Sequence, residues 1–561
     1  MKLRVTYAKR SYKDKIYRVP LVQYSYRDEK GTPRHKTVVS LSKLPEIVVH
    51  VIEETLKCGD TSVLKELVPK SQIHYKYSFN VGAVFTAFNI LLQLNIVAVL
   101  QKYLSTTCSI AILAFILERI IGEKPLSISA MQRQFPDSPE YYILGSPPVP
   151  HLNTWYKAFG DLEAVRERIL IDLYNRKPTT DRVFLYDITS SYFEGDKCPL
   201  GEFGYNRDGK SGKKQVVIGV ICDGEGRPVW CDVYKGNTQD QTTVQQQLIT
   251  LKDKLGVKEF IFVGDRGMVT NARIEELGKD GWWDTFGYIT AMKRQEIFRL
   301  IDDKNHPLQP ELFDHRDLVE IEHEGERYVL CHNPYKQDED RRVREKLLKK
   351  TEDKLKMISR NVNSGRLKSK DKIARRLYRW INKWNMERFF TVRYDEGEFA
   401  FELNESETER YLALDGCYVI RAKVSSLSLS KADLQNQYKD LKYVEQTFRT
   451  MKTTDINLRP IRVWTDQHVR GYIFGCFLAY WATWEIRKRL GLILQRTESG
   501  QCEGGSLQEI LRSLSRITIG VLEIAGRIHT EFSIISKYNQ RILESLEIPP
   551  LSSINDKLKC S

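Results

Sequence analysis

Short apolar runs separated by turns and helical segments fill the middle of the chain, between residues 183 and 294. Three of them read VFLYDITSSYF, QVVIGVICDGEGRPVWCDVYKG and EFIFVGDRG, and the second contains a hairpin turn within DGEGRP. The predicted elements follow the order strand, strand, strand, helix, strand, helix, strand. A hairpin joins antiparallel strands, whereas parallel strands need a crossover connection. This order therefore restricts the chain to an α/β fold with a mixed sheet flanked by helices.

Two carboxylates occur within or directly at the end of these apolar runs. Asp187 interrupts the apolar run VFLYDI, and Asp265 ends the run EFIFVGD. An ionised carboxylate in a buried strand is costly unless a cation or hydrogen bonds compensate it. If the two strands are neighbours, both carboxylates would meet at the carboxyl edge of the sheet and converge on one metal ion. An Asp at the end of a strand is more commonly a turn or cap residue, so both interpretations stay open here.

A third carboxylate lies on a predicted helix far along the chain, in YVEQTFRTMKT. Val444 and Phe448 belong to its apolar face, while Tyr438, Glu445 and Lys452 follow one another at intervals of seven residues. Seven residues are nearly two helical turns, so these three side chains form one polar stripe. We expect the helix to pack on the sheet and to present Glu445 at its edge. An ordinary amphipathic helix with a solvated stripe is the alternative.

The segment GYNRDGKS, residues 204–211, matches the pattern of a phosphate-binding loop of nucleotide hydrolases. Such a loop needs a strand before it and a helix after it, so that backbone amides and the helix dipole face the phosphates. Here the strand-like SGKKQVVIGV follows, so we expect no nucleotide binding. The alternatives are a basic turn and a loop whose Lys210, Lys213 and Lys214 contact DNA phosphates.

The net charge of +14 over 561 residues points to a polyanionic partner, most simply nucleic acid. Most of this charge lies in residues 341–388, where 18 Lys and Arg against 5 Asp and Glu give a net +13. The sequence NVNSG divides the stretch into two helices, so we expect a helical hairpin that contacts phosphates, with a solvated arm as the alternative. The candidates for DNA contact are Lys368, Lys370, Lys372, Arg375, Trp380 and Trp384.

Changes of pattern divide the chain into six regions. We expect a small β-rich region at 1–75, a helical region that binds DNA ends at 76–180, the first part of the α/β core at 181–294, an insertion with the basic hairpin at 295–417, the last core strand and the Glu-bearing helix at 418–495, and a helical region at 496–561.

Membrane insertion and secretion are not expected. The longest uncharged run, residues 77–101, is long enough to span a bilayer, but Asn and Gln interrupt it, so we expect a buried helix. The N-terminus lacks the apolar segment of a secretory signal, and the ten Cys form no C-x-x-C pair. This composition is typical of a cytoplasmic protein.

Three motifs together resemble the catalytic domain of DDE-type insertion-sequence transposases, in the branch with a long insertion before the Glu and a Y-R-E-K signature. LYDITSSYFEG resembles the stretch with the first Asp, FVGDRGM the second, and YKDLKYVEQTFRTMK the signature itself. Tyr438, Glu445 and Lys452 are in register with the signature. Its Arg position is Leu441, and Arg449, one turn beyond Glu445, is the candidate replacement.

The resemblance implies a ribonuclease H-like mixed sheet with an inserted β-plus-helical-hairpin region and a mainly helical N-terminal region. It implies that Asp187, Asp265 and Glu445 bind two Mg²⁺ ions, for which Mn²⁺ would substitute. Water would then cut the element end, and the released 3′-OH would attack target DNA. Tyr438 and Lys452 would contact the DNA backbone.

The resemblance also implies partners. These are double-stranded DNA with terminal inverted repeats, target DNA, and a second copy of the chain on paired ends, in the nucleoid of a bacterial or archaeal cell. Trp380 or Trp384 would stack on a flipped base. A non-catalytic DNA-binding protein derived from a transposase and a ribonuclease H-like nuclease without strand transfer are the alternatives.

Overall fold

The structure is a computed structural model of the full chain. It describes residues 3–12, 15–58, 73–122, 124–195, 197–205, 207–210, 212–309, 312–313, 318–424, 429–454, 456–491, 506–524 and 527–552. Parts of the predicted terminal regions, namely residues 59–72, 496–505 and 553–561, lie outside the described residues.

The described residues form sixteen strands. In chain order they are β1 (Leu3–Tyr12), β2 (Lys15–Arg27), β3 (Pro33–Ser40), β4 (Ile73–Asn80), β5 (Val183–Tyr192), β6 (Gln215–Asp223), β7 (Pro228–Lys235), β8 (Ile261–Gly264), β9 (Gly287–Ala291), β10 (Val319–His323), β11 (Glu326–His332), β12 (Phe390–Asp395), β13 (Glu398–Leu403), β14 (Cys417–Lys423), β15 (Thr518–Ile524) and β16 (Arg527–Phe532).

The α-helices of the described part are α1 (Glu46–Cys58), α2 (Gly82–Gln93), α3 (Ile96–Tyr103), α4 (Thr106–Ile121), α5 (Ile128–Gln134), α6 (Pro139–Ile143), α7 (Leu152–Arg176), α8 (Val244–Ile249), α9 (Asn271–Lys279), α10 (Trp282–Thr285), α11 (Arg294–Asp302), α12 (Pro334–Asn363), α13 (Lys370–Ile381), α14 (Glu405–Leu412), α15 (Lys431–Lys439), α16 (Leu441–Arg449), α17 (Asp466–Arg489), α18 (Leu507–Leu514) and α19 (Lys537–Ser545).

The chain divides into two compact units, and the smaller one comprises residues 1–82 and 515–536. It contains two antiparallel three-stranded sheets, with strand orders β1-β2-β3 and β16-β15-β4. Between β2 and β3 the chain turns at Gly31, which has φ 78°, as the sequence predicts for this hairpin. The strands β15 and β16 correct the expectation that residues 496–561 are helical throughout. TIGVLEI alternates apolar side chains with small or polar ones, and this period of two favours a strand.

The larger unit, residues 83–514 and 537–561, contains an eight-stranded sheet with the order β10-β11-β14-β9-β8-β5-β6-β7. The strands β5, β6 and β7 form an antiparallel meander, and β8 and β9 run parallel to β5. The five strands β7-β6-β5-β8-β9 confirm the ribonuclease H-like mixed sheet. The register pairs Tyr186 with Gly264, so Asp187 and Asp265 come next on neighbouring strands.

Helices bury both faces of this sheet, which explains why its strands are apolar almost without interruption. Every residue of β6 is buried, and in β5 only Asp187 and Tyr192 are partly exposed. The long helix α17 packs against α4, α7 and β7. The N-terminal helices thereby belong to the same core, in which Phe474 and Phe477 of α17 are fully buried.

The insertion at 295–417 contains the predicted helical hairpin, formed by α12 and α13. Leu355 and Ile358 of α12 share a buried cluster with Ile373 and Leu377 of α13, so the apolar faces of the two helices hold the hairpin together. Two strands of the insertion, β10 and β11, extend the main sheet beside β14. The insertion therefore continues the main sheet, and its basic side chains lie on two helices that pack against each other.

The uncharged run 77–101 differs from the single buried helix that its length suggests. Its first residues belong to β4, and the remainder divides into α2 and α3 at Asn95, whose φ of 59° is incompatible with a continuous helix. No single helix in the described part of the chain is long and apolar enough to cross a membrane; only α2 and α3 together, bent by 71°, have the required length and composition.

Candidate active site

The three predicted carboxylates line one cavity of about 420 Å³ at the carboxyl end of β8, beside the middle of β5. Asp187 comes from β5, Asp265 follows β8, and Glu445 lies on α16, so 78 and 180 residues of chain separate them. The other side chains of the lining are Arg266, Ala291, Met292, Tyr418, Tyr438, Lys439, Leu441 and Lys442. The fold therefore brings together all three groups that the motifs single out.

Asp187 is the most perturbed of the three carboxylates. Its Oδ1 atom accepts a hydrogen bond of 2.7 Å from the backbone N–H of Ile188. Burial, with a smaller effect from the negative charge of Asp265, raises the pKa of Asp187 to about 7, against the opposing effects of the Ile188 hydrogen bond and Arg207. The carboxyl group faces the cavity and is still partly exposed there. A cation bound next to Asp187 would favour the charged form of its carboxyl group.

Asp265 follows β8 in a tight turn. Its Oδ1 atom accepts a hydrogen bond of 2.7 Å from the backbone N–H of Arg266, and the Tyr438 hydroxyl lies 3.5 Å from the same oxygen. Burial, and then the charge of Asp265, raise the pKa of Tyr438 above its usual range. Tyr438 therefore remains a neutral phenol that donates toward the carboxylate.

Glu445 is exposed on α16, while Leu441, Val444 and Phe448 of the same helix are buried. This is the predicted division into an apolar face and a polar edge. The helix is not continuous, because α15 ends at Lys439 and α16 begins at Leu441. Asp440 between them keeps a right-handed helical backbone, with φ −72° and ψ −8°, so the break between the helices is a single residue long.

The donor chemistry of the cavity fits a hard divalent cation. Carboxylate oxygens are the preferred ligands of Mg²⁺, and the lining contains neither His nor Cys. Within the described residues, however, no three His, Cys, Asp or Glu side chains lie close enough to hold one ion. The three carboxylates share a cavity without forming a closed ligand set, as mutual repulsion between like charges predicts.

Lys452 lies in a buried ion-pair network two helical turns beyond Glu445. Its Nζ atom donates to Thr189 Oγ1 at 2.6 Å and to Asp208 Oδ1 at 3.1 Å. Asp208 also pairs with Arg459 at 3.0 Å and accepts from the backbone N–H of Tyr192 at 3.2 Å. Burial lowers the pKa of Lys452, and Asp208 partly offsets this. The network joins the end of the Glu445 helix to β5, two residues past Asp187.

The basic candidates lie away from the cavity. Lys210 and Lys213 are exposed and Lys214 is half-buried in the loop before β6. The strand β6 begins at Gln215, so the GYNRDGKS segment leads into a strand and not into the helix of a nucleotide-binding loop. On the insertion, four more are exposed: Lys368, Lys370, Lys372 and Arg375. None of these seven side chains is among the described residues that line the cavity of the three carboxylates.

The two tryptophans of the insertion are neighbours, with ring centroids 5.7 Å apart. Trp384 lines a cavity of about 660 Å³, and this cavity shares Arg266, Met292 and Tyr418 with the cavity of the three carboxylates. Trp380 is covered by the ammonium of Lys354, 4.8 Å from its ring centroid. Of the two, the structure therefore places Trp384 beside the site.

Several site residues escaped the sequence analysis. Arg266 directly follows Asp265 within GDRG, and Lys439 and Lys442 lie within the signature, so proximity to the motifs was an available signal. Arg207 lies in the GYNRDGKS segment, but nothing in that segment indicates a contact near Asp187. Its guanidinium donates to the Ile188 carbonyl at 2.5 Å and pairs with Asp240, which comes from a different loop.

Among solved structures, the chain is similar to the piggyBac transposase in a synaptic complex with hairpin DNA, with 9% identity over 86% of this chain and 85% of that chain, and a TM-score of 0.35. It is also similar to the Mos1 transposase in a paired-end complex with left transposon end, with 20% identity over 42% of this chain and 66% of that chain, and a TM-score of 0.13.

A search of curated proteins finds no match. The model of one protein family, described as the transposase DDE domain, matches residues 178–482. This range is more than half of the chain and contains all three carboxylates of the cavity. The chain therefore belongs to the transposase DDE domain family.

Proposed function

We propose that this transposase cuts the ends of an insertion sequence by metal-dependent hydrolysis and joins the released 3′-OH to target DNA. The observation that carries the proposal is the meeting of Asp187, Asp265 and Glu445 in one cavity within the family-matched region. Three carboxylates that line one cavity repel each other until a cation neutralises them, so a divalent ion would draw them into a closed ligand set.

Asp187, Asp265 and Glu445 would hold the metal. Two Mg²⁺ ions, or Mn²⁺ in their place, would supply activation of the attacking oxygen and stabilisation of the leaving oxygen. With its pKa near 7, Asp187 gives up a proton as it becomes a ligand, so loading depends on pH. The Tyr438 hydroxyl, donating toward Asp265, fixes the orientation of that carboxylate.

Cations around the cavity would position the DNA backbone. Arg266, Lys439 and Lys442 line the cavity with the carboxylates, and the last two lie on either side of the break at Asp440. Phosphates carry the negative charge that such a rim attracts. The exposed lysines and arginine of the insertion and the loop before β6 would extend this attraction over the duplex. Trp384, at the adjoining cavity, is the better placed of the two tryptophans to stack on a base.

The partners that we propose are the terminal inverted repeats of the element and a target duplex, with two protomers on paired ends. Such a protein would act in the cytoplasm of a bacterial or archaeal cell, on nucleoid DNA. The basic charge of the chain, +14, supports a nucleic-acid partner, and the family match supports transposition.

The test uses the full chain, DNA that carries the repeats flanking its coding region, and Mg²⁺ or Mn²⁺. We expect end cleavage and strand joining by the wild type. Asp187→Asn, Asp265→Asn and Glu445→Gln should each abolish cleavage but retain end binding in a gel shift. The matched control is Glu275→Gln, an exposed carboxylate on α9, which should cleave like the wild type.

The outcomes separate the competing functions. Binding without cleavage in any metal would indicate a DNA-binding protein derived from a transposase. Cleavage without joined products would indicate a nuclease. If Glu445→Gln cleaves at the wild-type rate, the third ligand is a different residue and our assignment of the signature helix is wrong.

A further inference from the structure

A second cleft, of about 380 Å³, lies beside the catalytic carboxylates and has a different chemistry. We call it the amide cleft, defined by Tyr205, Gln215, Asn237, Gln239, Gln241 and Thr270. Most of these side chains are neutral and carry amide or hydroxyl groups. The lysine-rich surfaces described above suit phosphates, whereas this lining suits a ligand that presents both donors and acceptors.

The amide cleft adjoins the active site at the turn after β8. Gly267, two residues past Asp265, forms part of its wall. A Cβ atom at Gly267 would lie 3.7 Å from Asp265 Oδ2 and 3.8 Å from Asp240 Oδ2, so the wall and the catalytic carboxylate are in near contact. Arg207 and Asp240, which also line the cleft, form an ion pair and offset each other's charge. A molecule in this cleft would therefore lie next to the reacting centre.

Hydrogen bonds from the buried Gln215 side chain hold the loop that carries Tyr205 in place. Gln215 Nε2 donates to the Tyr205 carbonyl at 3.1 Å and to the Gly236 carbonyl at 2.7 Å. A Cβ atom at Gly204 would lie 2.2 Å from the Gly236 oxygen, and one at Gly236 would lie 2.0 Å from the Gln215 oxygen, so only glycine permits this approach. The Tyr205 side chain is nevertheless 85% exposed. A fixed backbone thus presents an open aromatic ring at the mouth of the cleft.

The amides inside the cleft are oriented by one another. The Thr270 hydroxyl donates to Gln241 Oε1 at 3.4 Å, and Gln241 Nε2 is 3.3 Å from Gln239 Oε1. Gln215 is 1% exposed, and its Oε1 atom has no hydrogen-bond partner among the described residues. A buried acceptor without a partner is rare in proteins and indicates a group that a bound molecule would satisfy.

We propose that the amide cleft reads base edges of the DNA next to the phosphate that is cut. A Gln or Asn amide matches the adjacent donor and acceptor of adenine, and an exposed Tyr offers a stacking or packing face to a base. The inference rests on the proposed function, because it takes DNA at the carboxylates as given. Asn237, Gln239 and Gln241 would thereby determine sequence preference within a few base pairs of the cut.

The experiment measures cleavage of a duplex library randomised around the cut, with full-length protein and Mn²⁺, by sequencing the products. The variants are Gln239→Leu and Gln241→Leu, and the control is Gln246→Leu, an exposed amide on α8 outside the cleft. We expect wild-type preference at one or two positions to fall at least ~5-fold in the cleft variants, the lower limit for a bidentate base contact. The rate on the least preferred duplex should change less than twofold, and the control should keep the wild-type profile.

A profile that Gln239→Leu and Gln241→Leu leave unchanged would overturn the proposal, as would an equal loss of rate on every duplex. If the wild type cuts no duplex at all, the proposed function fails separately. Base reading is then measured by sequencing the bound fraction of the same library. In this binding measurement, a sequence preference that both cleft variants retain would again refute base reading by the cleft. A preference that both variants lose would support base reading even though no cleavage is observed.

Discussion

The buried pair of Lys452 and Asp208 makes a prediction that separates two roles of the signature lysine. The resemblance assigns Lys452 to the DNA backbone, whereas the structure holds it between Thr189 and Asp208. The side chains of Lys452 and Asp208 are only 10% and 9% exposed. We expect Lys452 to act chiefly as a brace between β5 and the Glu445 helix, and Asp208→Ala to break that brace.

The magnitude follows from burial. Removing one partner of a buried ion pair leaves an uncompensated charge and costs about 3–5 kcal/mol. Here two cations, Lys452 and Arg459, would lose their shared carboxylate. Asp208→Asn keeps an acceptor oxygen but not the charge, so its cost should be smaller, about 1.5–3 kcal/mol. Because each 1.4 kcal/mol is a factor of ten, opening of this region should become at least ~100-fold more frequent in Asp208→Ala.

Hydrogen exchange read on peptides is the suitable assay, since a chain of this size need not unfold in two states. Peptides that contain the Tyr192 amide, which donates to Asp208, and residues 441–452 should exchange faster in Asp208→Ala and in Lys452→Met. The double variant should exchange no faster than the worse single one, because partners in one network are not additive. Lys442→Met, an exposed lysine on the same helix, is the control and should leave exchange unchanged.

The opposite result would refute the brace. If Lys452→Met leaves exchange in both peptides at the wild-type rate and only weakens DNA binding, Lys452 is a phosphate contact that pairs with Asp208 incidentally. Its loss should then lower the dependence of binding on salt by about one counterion.

Three further outcomes follow from charge and burial. The pKa of Asp187 is about 7 in the folded state and 3.8 as its usual value, so the folded state holds an extra proton between these two pH values. In EDTA, the wild type should therefore lose about 3 kcal/mol of stability between pH 5 and pH 8 relative to Asp187→Asn. Equal pH dependence of the two proteins in chemical denaturation would contradict this. Replacing exposed Lys368, Lys372 and Arg375 by Gln should flatten the slope of log K against log salt by roughly 0.9 per lost phosphate contact, and an unchanged slope would mean that this face does not touch DNA. ATP should not bind in calorimetry, and saturable binding that Lys210→Ala removes would contradict the loop geometry.

The core of the sheet could be predicted from the sequence because its signal is local. Strands buried on both faces are apolar throughout, so the single carboxylate in VFLYDI stands out against its neighbours. Whether β5 and β8 are neighbours stayed open in the sequence, and the structure supplies this by pairing them in parallel. The break at NVNSG likewise identified the two helices of the insertion.

Contacts between distant segments could not be predicted in the same way. The strand β15 pairs with β4, more than 400 residues earlier, and nothing in either segment specifies its partner. Asp208 meets Lys452 across 244 residues. In the sequence, the loop of Asp208 resembles a basic turn. The role of Asp208 depends on the buried ammonium of Lys452, which only the tertiary fold brings next to it. Similarly, the break between the two helices at Asp440 lies inside an uninterrupted helical pattern.

The signature has Arg at the position of Leu441, and the structure shows that the positive charge of the site comes from other positions. The sequence suggested Arg449 as the replacement for the missing Arg, but among the described side chains Arg449 does not line the cavity of the three carboxylates. Leu441 does, at 9% exposure, and it belongs to the apolar face that docks α16. Positive charge reaches the same cavity from Arg266 after β8 and from Lys439 and Lys442 on either side of the break at Asp440. A buried guanidinium at position 441 would need a partner of opposite charge. The leucine therefore improves the packing of the helix, while exposed neighbours provide the charge that DNA requires.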